Sequence, residues 1–209
     1  QTRKIAPNVP SHLAWIDTNT KEGIEYWKAL QIIREWTKRN HAILHNTIST
    51  RLNATVGLQF WNEHNFVFRK DGLFYHAKGA TPSYDGWAKD SKGLTLIPMN
   101  MSEPIMICEP TNNKLNLGFA PHGAGRNMSR KAHIGTLGED TTGIFELETK
   151  GLDIRSFSGK ADLSELPSAY KDAPKIRKAI RDYNLAKVVD EILPYGSIMA
   201  GEQEQTWRK

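Results

Sequence analysis

One cysteine, Cys108, is the entire thiol inventory of this 209-residue chain. An internal disulfide is therefore excluded, no neighbouring cysteine suggests a zinc site, and a reducing compartment fits. No apolar run approaches the ~18 residues of a membrane helix, and the opening QTRKIAPNVP lacks the long apolar core of a signal peptide. Neither insertion nor secretion is indicated, and a cytoplasmic home is expected by default. An acidic surplus is also missing: 28 Lys and Arg against 23 Asp and Glu leave a net charge of +5, which favours a polyanionic partner. Repeats, low-complexity blocks and a clear domain boundary are lacking, so one domain over 1–209 is expected, with the polar stretch 202–209 as a mobile tail. The first residue is Gln1 rather than methionine, with neither cap nor pattern behind it, and the chain reads as a fragment of a longer gene product.

The chain has an ordinary globular composition, 39% hydrophobic and 24% charged, enough for a real core. Ile24, Trp27, Leu30, Ile33 and Trp36 recur at helical spacing, which predicts a long amphipathic helix from Thr20 to about Arg51. His41 and His45 share a face of it, but no Glu accompanies them as in a metal-binding HExxH helix, and they read as ordinary helix histidines. Aromatic and branched residues flank Asp71-Gly72, a strong hairpin signal, with His64 and Asn65 near the start of the first strand. GLTLIPMNM and PIMIC read as further buried strands, with Cys108 a buried strand residue, followed by an Asn-rich loop. GIFELETKGLDIRSF reads as paired strands turning at Lys150-Gly151, YKDAPKIRKAIRDYN as a helix capped by Asp172 with Pro174 in its first turn, and LAKVVDEILPYGSIM as a returning strand. Helices and strands alternate irregularly, so the class is α+β, with mixed and antiparallel strands behind a long N-terminal helix.

The stretch GFAPHGAGRNMSRKAH carries the most chemistry. His122 stands before a Gly-Ala-Gly run, with Arg126, Arg130 and Lys131 close behind. Gly123 and Gly125 let another molecule approach the main chain, and exposed N–H groups there suit an anion. A tight turn before a helix accounts for the glycines alone. It leaves unexplained a titratable nucleophile set four residues from a guanidinium, a pairing suited to phosphate chemistry.

EHNFV, HAKGAT, HGAGRNMSR and AYKDAPKI, in this order from residue 63 to residue 176, together resemble the motifs of the RtcB family of RNA-splicing ligases, and the segment from LAWIDTNT to WTKRNH resembles the lead into them. The likeness covers nearly the whole chain but only the C-terminal half of such a ligase. It implies joining of RNA ends bearing a 3′-phosphate or 2′,3′-cyclic phosphate to 5′-hydroxyl ends, with GTP and Mn2+. His122 matches the histidine that attacks the α-phosphate of GTP to give a histidine-guanylate. Arg126 and the N–H groups of the Gly123-Ala124-Gly125 run are suited to hold the transferred group. His64 matches a manganese ligand, and Asn65 is expected near the GTP phosphates. The family's other ligands, an aspartate, a cysteine and two histidines, belong to an upstream half, which the resemblance makes a partner; Cys108 does not match the thiolate.

Two departures bear on base recognition. Where the family commonly has Pro-Gly-Ser-Met-Gly, this chain has Pro98, Met99, Asn100 and Met101 ahead of Ser102 and Glu103. Glu103 is suited to accept from the N1–H and N2–H edge of guanine, and equally to cap a loop or pair with a lysine. The family's lysine before a terminal glycine is replaced by Ala200 before Gly201, whereas Tyr170, matching a base-contacting tyrosine, is retained. The alternative from another class is a catalytically incomplete nucleotide or RNA-end binding module, for which the His122 and Arg126 pair is not required.

Overall fold

Thr20 opens the longest element as expected: its hydroxyl accepts the Gly23 N–H at 3.1 Å, filling one of the orphan donors of a helix start. In the computed structural model, which describes residues 2–83, 87, 89–111 and 113–201, this helix, α2, runs Lys21–Arg51 after a single-turn helix α1, Thr2–Ile5. Trp27 and Leu30 are half-buried, while Ile24, Ile33 and Trp36 are 47%, 57% and 65% exposed. Residues 1–59 form one compact unit and 60–209 a second.

The second unit begins with the Asp-Gly hairpin. Strands β1 (Val67–Lys70) and β2 (Leu73–His76) pair antiparallel, and Asp71 and Gly72 both take left-handed backbone, φ 52° and 78°, as a type I′ turn requires. Strand β3 (Ala80–Pro82) pairs antiparallel with β6 (Phe119–Pro121). Strands β4 (Thr95–Ile97) and β5 (Ile105–Glu109) form an antiparallel sheet that β8 (Lys187–Ile192) extends on the far side of β5.

Alternation along β5 sends Met106 and Cys108 inward, both fully buried. Helix α5, Ala173–Asp182, packs there through Ala173, Ile176 and Ile180, a single face at helical spacing. Asp172 caps it by accepting the Lys175 N–H at 2.9 Å, and Pro174 fits the first turn, where no N–H is needed. Burial pushes the Cys108 thiol up to about 11, further tuned by Arg177 and Glu191, so it behaves as a small buried hydrophobe.

Two expectations fail locally. The paired strands expected across GIFELETKGLDIRSF do not form: helix α4 covers Thr141–Glu148, and only β7 (Asp153–Ser156) is extended. Asp140 accepts the Gly143 N–H at 2.9 Å, and this cap settles a short apolar run whose pattern fits either period. The returning strand divides at Pro194 into β8 and β9 (Gly196–Met199), and β9 pairs with β7 in parallel. The class remains α+β, with antiparallel pairs dominant. Helix α3, Arg130–Ile134, follows the histidine motif. The expected tail, 202–209, lies outside the described residues.

Candidate active site

Gly79 is the clasp that brings two distant histidines together. Asn65 takes the left-handed conformation, φ 52°, that Asn tolerates better than most residues. Its side-chain oxygen accepts the Gly79 N–H at 2.9 Å, and its own N–H reaches the Ala80 carbonyl at 3.4 Å. The Gly79 carbonyl in turn accepts the His122 N–H at 3.3 Å, where β3 and β6 leave their register at Ala80 and Pro121. The rings of His64 and His122 stack with centroids 4.9 Å apart and planes 26° from parallel. His64 is exposed and His122 half-buried, so neither residue is sealed from solvent.

The loop after His122 is fitted closely to its neighbours. A Cβ on Gly123 would lie 3.1 Å from the Pro98 carbonyl oxygen, so glycine lets the PMNMSEP segment come against the histidine loop. Ala124 is buried in the core with Met99, anchoring the loop from below. Gly125 has φ +73°, and a Cβ there would stand 3.8 Å from the Lys171 Nζ. The Gly125 carbonyl accepts the Lys171 N–H at 3.0 Å, and Asn127 N–H reaches the Ala169 carbonyl at 3.0 Å.

Between these bonds Arg126 and Tyr170 face each other as a β-bridge, and the guanidinium lies 5.2 Å from the tyrosine ring centre. Its Nη2 donates to the Ser164 carbonyl at 2.6 Å, and its Nη1 lies 3.5 Å from Glu165. Glu165 also accepts from Arg130, at 2.9 Å from Nε and 2.7 Å from Nη2, and from the Tyr170 hydroxyl. Burial, followed by the Glu165 hydrogen bond and charge, raises the Tyr170 phenol above its usual range. The same carboxylate raises Arg130. The fork of Arg126 is thus turned toward its own chain.

Of the remaining expected residues, Pro98 is exposed, Asn100, Met101 and Glu103 are half-buried, and Met99 is a core side chain. The Asn100 side-chain oxygen accepts from both the Ser102 N–H and hydroxyl at 2.9 Å, and Glu103 N–H closes onto the Asn100 carbonyl at 3.4 Å. The serine's replacement therefore serves first as the cap of its own turn. His133 is buried in α3, and Cys108 in the sheet. Among the described residues no three His, Cys, Asp or Glu side chains converge on a common point. A divalent cation held by one imidazole keeps most of its waters, so the described residues alone do not make a manganese site.

Glu165 and Lys171 were not singled out from sequence. Lys171 lies in the quoted AYKDAPKI segment without a role there, and Glu165, five residues before Tyr170, has no local signal.

A sequence model described as tRNA-splicing ligase RtcB matches residues 1–200. Proteins named tRNA-splicing ligase RtcB from Nanoarchaeum equitans and Archaeoglobus fulgidus are 25% and 27% identical over 82% and 88% of this chain. The chain spans 39% and 43% of the length of these two relatives. A third, from Methanopyrus kandleri, is 30% identical over 94% of the chain, which spans 23% of it. Among the described residues, no helix is long and apolar enough to cross a membrane. With the motif residues gathered around His122 and the family model covering all but the last residues, the chain belongs to the RtcB family.

Proposed function

We propose that the chain is the nucleophile-bearing part of an RNA ligase, used in tRNA splicing or RNA repair, that joins 3′-phosphate or 2′,3′-cyclic phosphate ends to 5′-hydroxyl ends at the expense of GTP. The observation that carries this reading is the stack of His64 on His122, which places the expected metal donor and the expected nucleophile side by side across 58 residues of chain.

In the first step a lone pair of the His122 imidazole attacks the α-phosphorus of GTP. A P–N bond forms, the P–O bond to pyrophosphate breaks, pyrophosphate leaves, and the ring's remaining N–H proton is released. The imidazole is nucleophilic near neutral pH, and a phosphoramidate divides one difficult transfer into easier ones. Gly123, Ala124 and Gly125 shape the loop for a phosphate, and Asn65 holds it in place through Gly79. Pro98 to Met101, Glu103 and Tyr170 are proposed for the base, with Arg126 behind Tyr170. Manganese supplies Lewis-acid charge when bound; His64 is one donor, and the others are proposed to come from an amino-proximal half.

The second reading, an incomplete nucleotide or RNA-end binding module, draws on the single metal donor these residues offer. Joining separates the two. With a complementary half, GTP and manganese, RNA with cyclic-phosphate and 5′-hydroxyl ends should be ligated, and His122→Ala should ligate none. Ligation that survives in His122→Ala refutes the nucleophile.

A further inference from the structure

We propose that Lys171 is the cation that holds the phosphate chain of the nucleotide over the Gly123–Gly125 loop, while Arg126 braces Tyr170; this rests on the reading of His122 as the nucleophile.

Charge near a transferred phosphoryl group has to face the group, and in this structure the two candidates face different ways. Arg126 spends Nη2 on the Ser164 carbonyl and turns Nη1 toward Glu165, with its side chain only 19% exposed. Its plane rests against Tyr170. Freeing that fork for a phosphate means surrendering a charged contact and a carbonyl bond at once.

Lys171 has the opposite disposition. Its main chain is fixed to the loop by the bond from its N–H to the Gly125 carbonyl, and the next residue, Asp172, is held as the cap of α5. Its ammonium stands over Gly125, 3.8 Å from the place a Cβ would occupy, and the residue is exposed. Among the described residues no carboxylate pairs with it, whereas Arg126 and Arg130 share Glu165.

The loop beneath is built for the same ligand. Hydrogen bonds secure the His122 and Asn127 N–H groups to Gly79 and Ala169. Among the described residues none engages the N–H groups of Gly123, Ala124 or Gly125 between them. Left-handed Gly125 within such a run is the kind of backbone from which anion-binding nests are built. An ammonium above a glycine loop holds phosphate as a compact, mobile point charge, which suits a group that changes position during transfer.

The test compares wild type, Lys171→Ala and Lys171→Arg, each with the complementary half present, by calorimetry with GTP and with guanosine and by the rate of mass gain from GTP. Lys171→Ala should weaken GTP binding and slow adduct formation on the order of tenfold, the loss of one charge-assisted contact. Guanosine, which has no phosphate, should bind as to wild type, and Lys171→Arg should recover most of the loss. A variant that takes GTP like wild type, or that loses GTP and guanosine equally, overturns the assignment while leaving His122 in place. Wild type that takes no GTP overturns this inference together with the reading beneath it.

Discussion

Replacing Glu165 by Gln removes a charge and almost nothing else, so it isolates what that carboxylate contributes. The side chain is 17% exposed and faces two guanidinium groups and one phenol. The amide oxygen still accepts from Tyr170, but Arg126, itself 19% exposed, is left beside a neutral group. Hydrogen bonds to charged groups contribute ~1.5–3 kcal/mol, and the Arg130 contact belongs at the lower end because that side chain is 66% exposed. A loss of ~2–3 kcal/mol is expected, about 4–12 °C in Tm for a chain of this size. Urea and thermal unfolding of the two proteins measure it, and a loss below ~0.5 kcal/mol, typical of a surface change, refutes the reasoning. Alkaline behaviour gives an independent check. The raised pKa of the Tyr170 phenol contributes stability that is complete below its unfolded value and disappears as pH rises through its folded value. In Glu165→Gln burial still raises the phenol while the Glu165 causes vanish, so the alkaline loss should begin at the same pH, set by the unfolded phenol, but be smaller and complete at lower pH than in wild type.

Three further outcomes are expected. Gly125→Ala forces a Cβ onto backbone at φ +73°, and should cost ~1–2 kcal/mol, seen as a lower urea midpoint; an unchanged midpoint contradicts the left-handed assignment. Cys108, fully buried with its thiol pushed up to about 11, should resist a disulfide reagent at pH 8 until the protein unfolds, and rapid labelling of the folded chain contradicts its place in the core. The same shift keeps the thiol's contribution to stability intact below its ordinary value of 9.0 and removes it as pH climbs to about 11, so Cys108→Ala should flatten that part of the stability profile.

What was legible in the sequence was whatever depends on local chemistry. Thr20 and Asp172 announce helices through their caps, and Asp71-Gly72 announces a hairpin, because each acts on neighbours a few residues away. TTGIFELE was misread because its short apolar run fits both periods and the deciding cap, Asp140, stands outside it. Within the candidate site, His64 and His122 could be named from their motifs, but their stacking depends on Gly79 joining two strand ends. The orientation of the Arg126 fork was invisible for the same reason, since it is set by contacts with Ser164 and Glu165, some forty residues from the arginine.

The central claim is that His122 becomes covalently attached to the nucleotide, and the direct measurement is tandem mass spectrometry of the chain after incubation with GTP, manganese and a complementary half. The expected result is one guanylate on the peptide containing His122, lost on brief acid treatment as a phosphoramidate is, and missing from His122→Ala. A guanylate mapped to any other residue, or one that persists in His122→Ala, contradicts the account.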